Sequence, residues 1–179
     1  MKGRFFYTRT LVTVAVCSAL LCVSSMISIP LGQIPLTLQT LVIFFSLYNL
    51  GAPHTALMVG VYLALGAAGV PVFSGFGGGV GRLLDATGGF LLGLLPAVGV
   101  YGAFGFLPRF RFREIFRSAL FLLTLYTVGT LWYAFVYLDS APQALAAVAT
   151  TVLPFVIPDI LKAFIAYRLS VRLSRYTRG

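Results

Sequence analysis

Four apolar runs in this chain are too long for a water-soluble fold to hide: Leu11 to Ile29, Phe90 to Leu107, Ser118 to Leu138 and Ala144 to Leu169. A helix of about 20 largely apolar residues spans a bilayer. Two shorter runs, Leu36 to Leu50 and His54 to Gly69, bring the expected membrane helices to six. Only 9% of the residues are charged, where a soluble domain carries about 25%. The expected fold is therefore an all-α integral membrane protein, a single membrane domain over residues 1–179. The first run exceeds the core of a signal peptide and lacks a convincing cleavage site, so it reads as the first span.

Charge placement sets the orientation. With a cytoplasmic N-terminus and six helices, the inner segments hold Lys2, Arg4, Arg9, Arg109, Arg111, Arg113, Arg117, Arg168, Arg172, Arg175 and Arg178, which is 11 of the 13 basic residues. The positive-inside rule then places both termini in the cytoplasm, and the membrane is expected to be a bacterial-type plasma (inner) membrane. The formal charge of +9 is thus explained by helix ends facing anionic headgroups, and a nucleic-acid role is not indicated.

Two connections fall on the outer side under this topology. "IPLGQIPLTLQT" (29–40) and "VPVFSGFGGGVGRLLDATGG" (70–89) are too polar or too Gly-rich to span as helix. Glycines permit backbone conformations and close approaches that side chains forbid. Phe73, Phe76, Leu83 and Leu84 make the second loop too apolar for a free linker, so both loops are expected to fold over the helix bundle.

Chemistry is expected where charge sits in lipid. An ionisable side chain in a membrane helix costs roughly 2.5 to 3.5 kcal/mol on insertion scales and faces the bundle interior with a partner. Asp159 and Lys162, in "VIPDILKAF", are three residues apart on one helix face, close enough to pair. The pair either pins the last helix to the bundle or lines a pocket and offers a ligand an acceptor and a cationic donor. Pro154 and Pro158 each remove a backbone donor, so the outer end of that helix is expected to be bent or unwound. Thr37 and Gln39 stand at the entry to the second helix, where they read a polar ligand or, for Thr37, cap the helix. Arg82 and Asp85, also three apart, are a ligand-facing pair or a solvated surface pair. Phe73, Tyr48, Tyr62 and Trp132 are candidates for an apolar pocket wall, or pack within the membrane.

Enzyme chemistry finds little support. The single histidine, His54, excludes His-based nucleophile pairs and metal clusters, and "GFGGGVGR" lacks the Gly-Lys-Ser/Thr ending of a nucleotide loop. Cys17 and Cys22 are off metal-ligand spacings and read as small apolar fillers. No metal or cofactor is expected.

"IPLTLQTLVIFF", "VYLALGAAGVPVFSGFGGG", "TGGFLLG" and "PDILKAFIA" resemble, in order and spacing, segments of the BioY family, from about Pro30 to Leu169. These are the biotin-binding S components of energy-coupling factor (ECF) transporters. The resemblance implies a six-helix bundle that binds biotin near its outer face under two capping loops. It further implies partnership with a transmembrane coupling protein and two cytoplasmic ATPases, although some members are thought to work alone. By the same matches, Asp159 and Lys162 are polar ligands of biotin, Thr37 and Gln39 the pocket entry, and Gly77, Gly78 and Gly79 the lid. Phe73 belongs to the pocket wall, and Arg82 rivals Lys162 for the biotin carboxylate. Ala15 and Ala19 match the small-residue face that meets the coupling protein. Two departures stand out. Asp85, Ala86 and Phe90 occupy positions where the family commonly reads Gly, Pro and Tyr, and no Gly separates Pro158 from Asp159. Readings outside the family are a secondary transporter of another small anion, or a membrane scaffold in which the charged pair only joins helices.

Overall fold

The computed structural model describes residues 8–31, 34–106, 112–137 and 152–176. The long helices are α1 (Thr8–Met26), α2 (Gln39–Leu50), α3 (Ala52–Ala67), α5 (Gly88–Ala103), α6 (Arg113–Trp132) and α7 (Leu153–Tyr176). A short α4 (Val80–Leu84) lies between α3 and α5, and strands β1 (Ser28–Leu31) and β2 (Ile34–Thr37) lie between α1 and α2. Lys2, Arg4, Arg109, Arg111, Arg178 and the stretch 144–151 lie outside the described residues.

The hairpin amends the all-α expectation. Helix was expected through Ile29 and again from Leu36, but α1 stops at Met26 and α2 starts at Gln39, with antiparallel β1 and β2 between them. Pro30 and Pro35 disfavour helix here, since each removes a backbone donor and crowds the preceding turn. They face each other in the register, Pro30 opposite Pro35, so one position of the ladder absorbs both missing donors.

Side-chain contacts give the helix directions. Thr40 and Asn49 on α2 bond Asp159 and Ser170 on α7, so these two helices run parallel. Between α5 and α6, Gly89 lies against Trp132 while Tyr101 bonds Glu114, so that pair is antiparallel. Gly51, at φ +79°, makes the turn from α2 into α3, a conformation L-residues with a Cβ rarely adopt. One end of the molecule therefore gathers the hairpin, the starts of α2, α5 and α7, and the loop 68–87. The opposite end gathers the α2–α3 turn and Arg113, Arg117, Arg168 and Arg172.

The outer surface is apolar. Leu11, Val12, Val16, Leu20 and Val23 on α1 and Ile157, Ile160, Leu161, Phe164 and Ile165 on α7 are all exposed. Such faces suit lipid and not water. The segments Gly88–Phe106 and Arg113–Val136 are each long and apolar enough to cross a membrane. By contrast α2 has 12 residues, about 18 Å of helix against about 30 Å of hydrocarbon. The hairpin immediately precedes the start of α2, and the cavity described below opens there.

A bend or unwinding was expected at the outer end of α7; the helix is not unwound, its α-helical run continuing through Pro158. Pro154 sits in its first turn, whose N–H groups have no helical acceptor anyway, so only the bond from position 158 is lost. The loop 70–89 is not a free linker. Phe73 is buried, its N–H donates to the Gly77 carbonyl at 2.9 Å, and the Gly79 N–H donates to Gly66 at the end of α3 at 2.7 Å. The Phe73 ring lies over Gly66, where a Cβ would have no room.

Candidate functional site

Asp159 and Lys162 come from the first turns of α7, and both are buried, at 4% and 8% exposure. Lys162 Nζ donates to Asp159 Oδ1 at 2.7 Å. Two further donors reach the carboxylate from other helices. Thr40 Oγ1 on α2 donates to Oδ1 at 2.8 Å, and Tyr126 Oη on α6 donates to Oδ2, also at 2.8 Å. An isolated charge at this depth would be strongly unfavourable, whereas a carboxylate with a cation and two hydroxyl donors is satisfied.

A cavity of about 70 Å³ opens onto this cluster, space enough for several water molecules. Ile34, Pro35, Leu36 and Thr37 of the hairpin form one side; Gln39 and Thr40 start α2; Phe90, Leu94, Leu125, Tyr126 and Phe155 supply the apolar wall, with Asp159 and Lys162 at the polar end. Thr37 Oγ1 also accepts the Gln39 backbone N–H at 3.4 Å, so it both lines the cavity and steadies the helix start. Gln39 Nε2 is buried with no partner among the described residues. Phe90 owes its position to Gly129 on α6, because a Cβ there would come within 2.5 Å of the ring.

Four expected residues, Asp159, Lys162, Gln39 and Thr37, are thus brought together. The others lie apart from the cavity lining. Phe73 packs edge-on against Tyr62 at 5.4 Å in the core. Arg82 pairs with Asp85 at 3.2 Å, each side chain about 40% exposed, and its guanidinium covers Gly77. Gly78 touches the Val70 carbonyl, and Gly79 stands at φ +90°. Trp132 Nε1 donates to the Asp85 carbonyl at 3.2 Å, which ties the loop to α6. Tyr48 lies 2.7 Å from Ser118 Oγ, toward the opposite end. Ala15 and Ala19 are exposed on α1, and Cys17 and Cys22 are buried and unpaired there.

Sequence reasoning missed Thr40 and Tyr126. Thr40 adjoins Gln39 in "TLQT" and was within reach of the same argument. Tyr126, in "TLYTVGT", carries no local signal, since one tyrosine among many in an apolar helix looks like packing.

The model of the BioY family matches residues 1–179. A probable biotin transporter BioY of Pyrococcus horikoshii is 36% identical, over 92% of this chain and 95% of its own length. The biotin transporter BioY of Thermotoga maritima is 33% identical, over 93% of this chain and 96% of its own. In three dimensions the chain is similar to the crystal structure of an S-component for biotin from an ECF-type ABC transporter. That likeness has a TM-score of 0.78 at 24% identity and covers 93% and 91% of the two chains.

Proposed function

The chain belongs to the BioY family, and from that premise we propose that it is the biotin-capturing membrane subunit of an ECF-type vitamin transporter. Being membrane-embedded, it crosses the inner membrane six times as one domain over residues 1–179, with both termini in the cytoplasm, so the hairpin end faces outward. The observation that carries this reading is the polar cluster of Asp159, Lys162, Thr40 and Tyr126 at one end of a cavity whose other walls are mostly apolar. Biotin has an apolar bicyclic body, a ureido group that both donates and accepts, and an anionic tail, and a cavity of this composition suits all three.

The polar head is held by Asp159, Lys162, Gln39 and Thr37. The tail leaves toward the loop 70–89, where Arg82 meets the carboxylate and Gly77, Gly78 and Gly79 shape the cover, while Phe73 anchors that loop from the core. The exposed Ala15 and Ala19 on α1 meet a transmembrane coupling protein, and two cytoplasmic ATPases supply the energy; the chain itself is no enzyme and needs no cofactor. Equilibrium binding of biotin to the purified protein, wild type beside Asp159→Asn and Lys162→Met with dethiobiotin as competitor, tests the reading. Tight wild-type binding that either substitution abolishes in a folded protein supports it; absent binding, or binding that survives both changes, overturns it.

A further inference from the structure

Behind the cavity, where α1, α3 and the start of α2 meet, lies a second polar cluster. Tyr62 on α3 is 0% exposed, and its hydroxyl has no hydrogen-bond partner among the described residues. Its ring packs edge-on against Phe73, the neighbour of Val72, whose carbonyl accepts from Ser25. The Tyr62 hydroxyl lies toward the Ser25 side chain and the Gln39 carboxamide. Gln39 Nε2 is likewise buried and unpaired. Buried polar groups are nearly always partnered, so two neighbouring exceptions call for an explanation.

Proton counting gives one. Ser25 Oγ donates to the carbonyls of Val72 and Cys22, so its proton is committed and its lone pair is left to accept. Tyr62 can then donate to Ser25 and accept from Gln39 Nε2. Gln39 also lines the cavity, so with Nε2 turned inward its carbonyl oxygen is the end left for the cavity side. Lys162 lines the same cavity; it has spent one of its three protons on Asp159 and keeps two as donors. The cavity then shows both an acceptor and a donor, the complement of an N–H beside a C=O.

We propose that Tyr62 and Ser25 are positioning residues of the site: the relay from Gln39 through Tyr62 and Ser25 to the Val72 carbonyl holds the Gln39 carboxamide oxygen toward a ureido N–H of the ligand. The carbonyl of the same ureido group goes to Lys162. This inference rests on the biotin reading above.

The test uses the full chain in detergent, with biotin and two carbamate analogues in which one or the other ureido N–H is replaced by oxygen. Wild type prefers biotin over one of the analogues by about tenfold or more, because the analogue leaves a buried acceptor unpaired. Tyr62→Phe lowers biotin affinity about tenfold but leaves the affinity for that analogue within about threefold, because the freed amide can flip. Ser25→Ala moves the preference the same way, and Tyr62→Phe combined with Gln39→Met binds biotin no more weakly than Gln39→Met alone. A Tyr62→Phe protein that keeps the wild-type preference, with both affinities unchanged or both lowered equally, overturns the relay. A wild type that binds biotin without discriminating between the analogues also overturns it, whereas a wild type that binds no biotin overturns the biotin reading itself.

Discussion

Lys162 Nζ stands 2.7 Å from Asp159 Oδ1, one turn along the same helix, with both side chains buried. Local spacing brings these charges together, but α2 and α6 complete the cluster, because Thr40 and Tyr126 reach the same carboxylate. The pair therefore joins three helices at the foot of the cavity, and a change there is felt both in folding and in binding.

Lys162→Met alone leaves a buried carboxylate without its cation and is expected to destabilise the protein by about 3 to 5 kcal/mol. Adding Asp159→Asn removes the stranded charge and keeps an acceptor for Thr40, so stability is expected to return toward wild type while biotin binding stays lost. Thermal unfolding in detergent beside equilibrium binding checks both halves. A double variant that binds biotin as wild type does would leave the pair with a purely structural role.

Tyr126→Phe removes one donor from Asp159 Oδ2 and nothing else of comparable size. A hydrogen bond to a charged group is worth about 1.5 to 3 kcal/mol, so biotin affinity is expected to fall about tenfold or more. Thr40→Val, on the other oxygen, is expected to act in the same direction. Titration calorimetry on both variants tests this, and unchanged affinities would remove α2 and α6 from the site.

Gly129→Ala places a methyl where the Phe90 ring now lies. Overpacking of this kind costs about 1 to 3 kcal/mol, and the displaced ring is expected to enter the cavity and weaken biotin binding. Phe90→Leu in the same protein is expected to restore part of both losses. If Gly129→Ala binds biotin normally, Phe90 does not shape the pocket.

Arg82→Ala breaks a half-exposed ion pair worth about 0.2 to 1 kcal/mol, so the unfolding temperature is expected to change little. If Arg82 meets the carboxylate, the preference for biotin over its methyl ester falls about fivefold. A preference that survives Arg82→Ala and disappears in Lys162→Met would move the carboxylate to Lys162.

The grouping of Asp159, Lys162, Thr37 and Gln39 was legible in the sequence. A lone Asp and Lys at helical spacing inside an apolar run could only be paired and inward-facing, and "TLQT" at a helix start marked Thr37 and Gln39. The hairpin was not legible, because Ser28–Leu31 and Ile34–Thr37 are too short and apolar to be told from frayed helix ends. Nor was the placement of Phe73, which fills space over Gly66; an aromatic residue beside a glycine-rich loop reads the same in the core as in a pocket wall.

Composition and run length alone pointed to a membrane, because a chain of 179 residues is too small to bury so many long apolar helices within itself. They also made Asp159 and Lys162 partners, since the two are neighbours on one helix whatever surrounds them. Which further donors reach Asp159, which rings wall the cavity and which amide end of Gln39 is buried depend on residues up to 119 positions apart in sequence. Helix packing decides those, because a side chain's distant neighbours depend on how its helix is rotated and seated, and the local pattern does not carry that information.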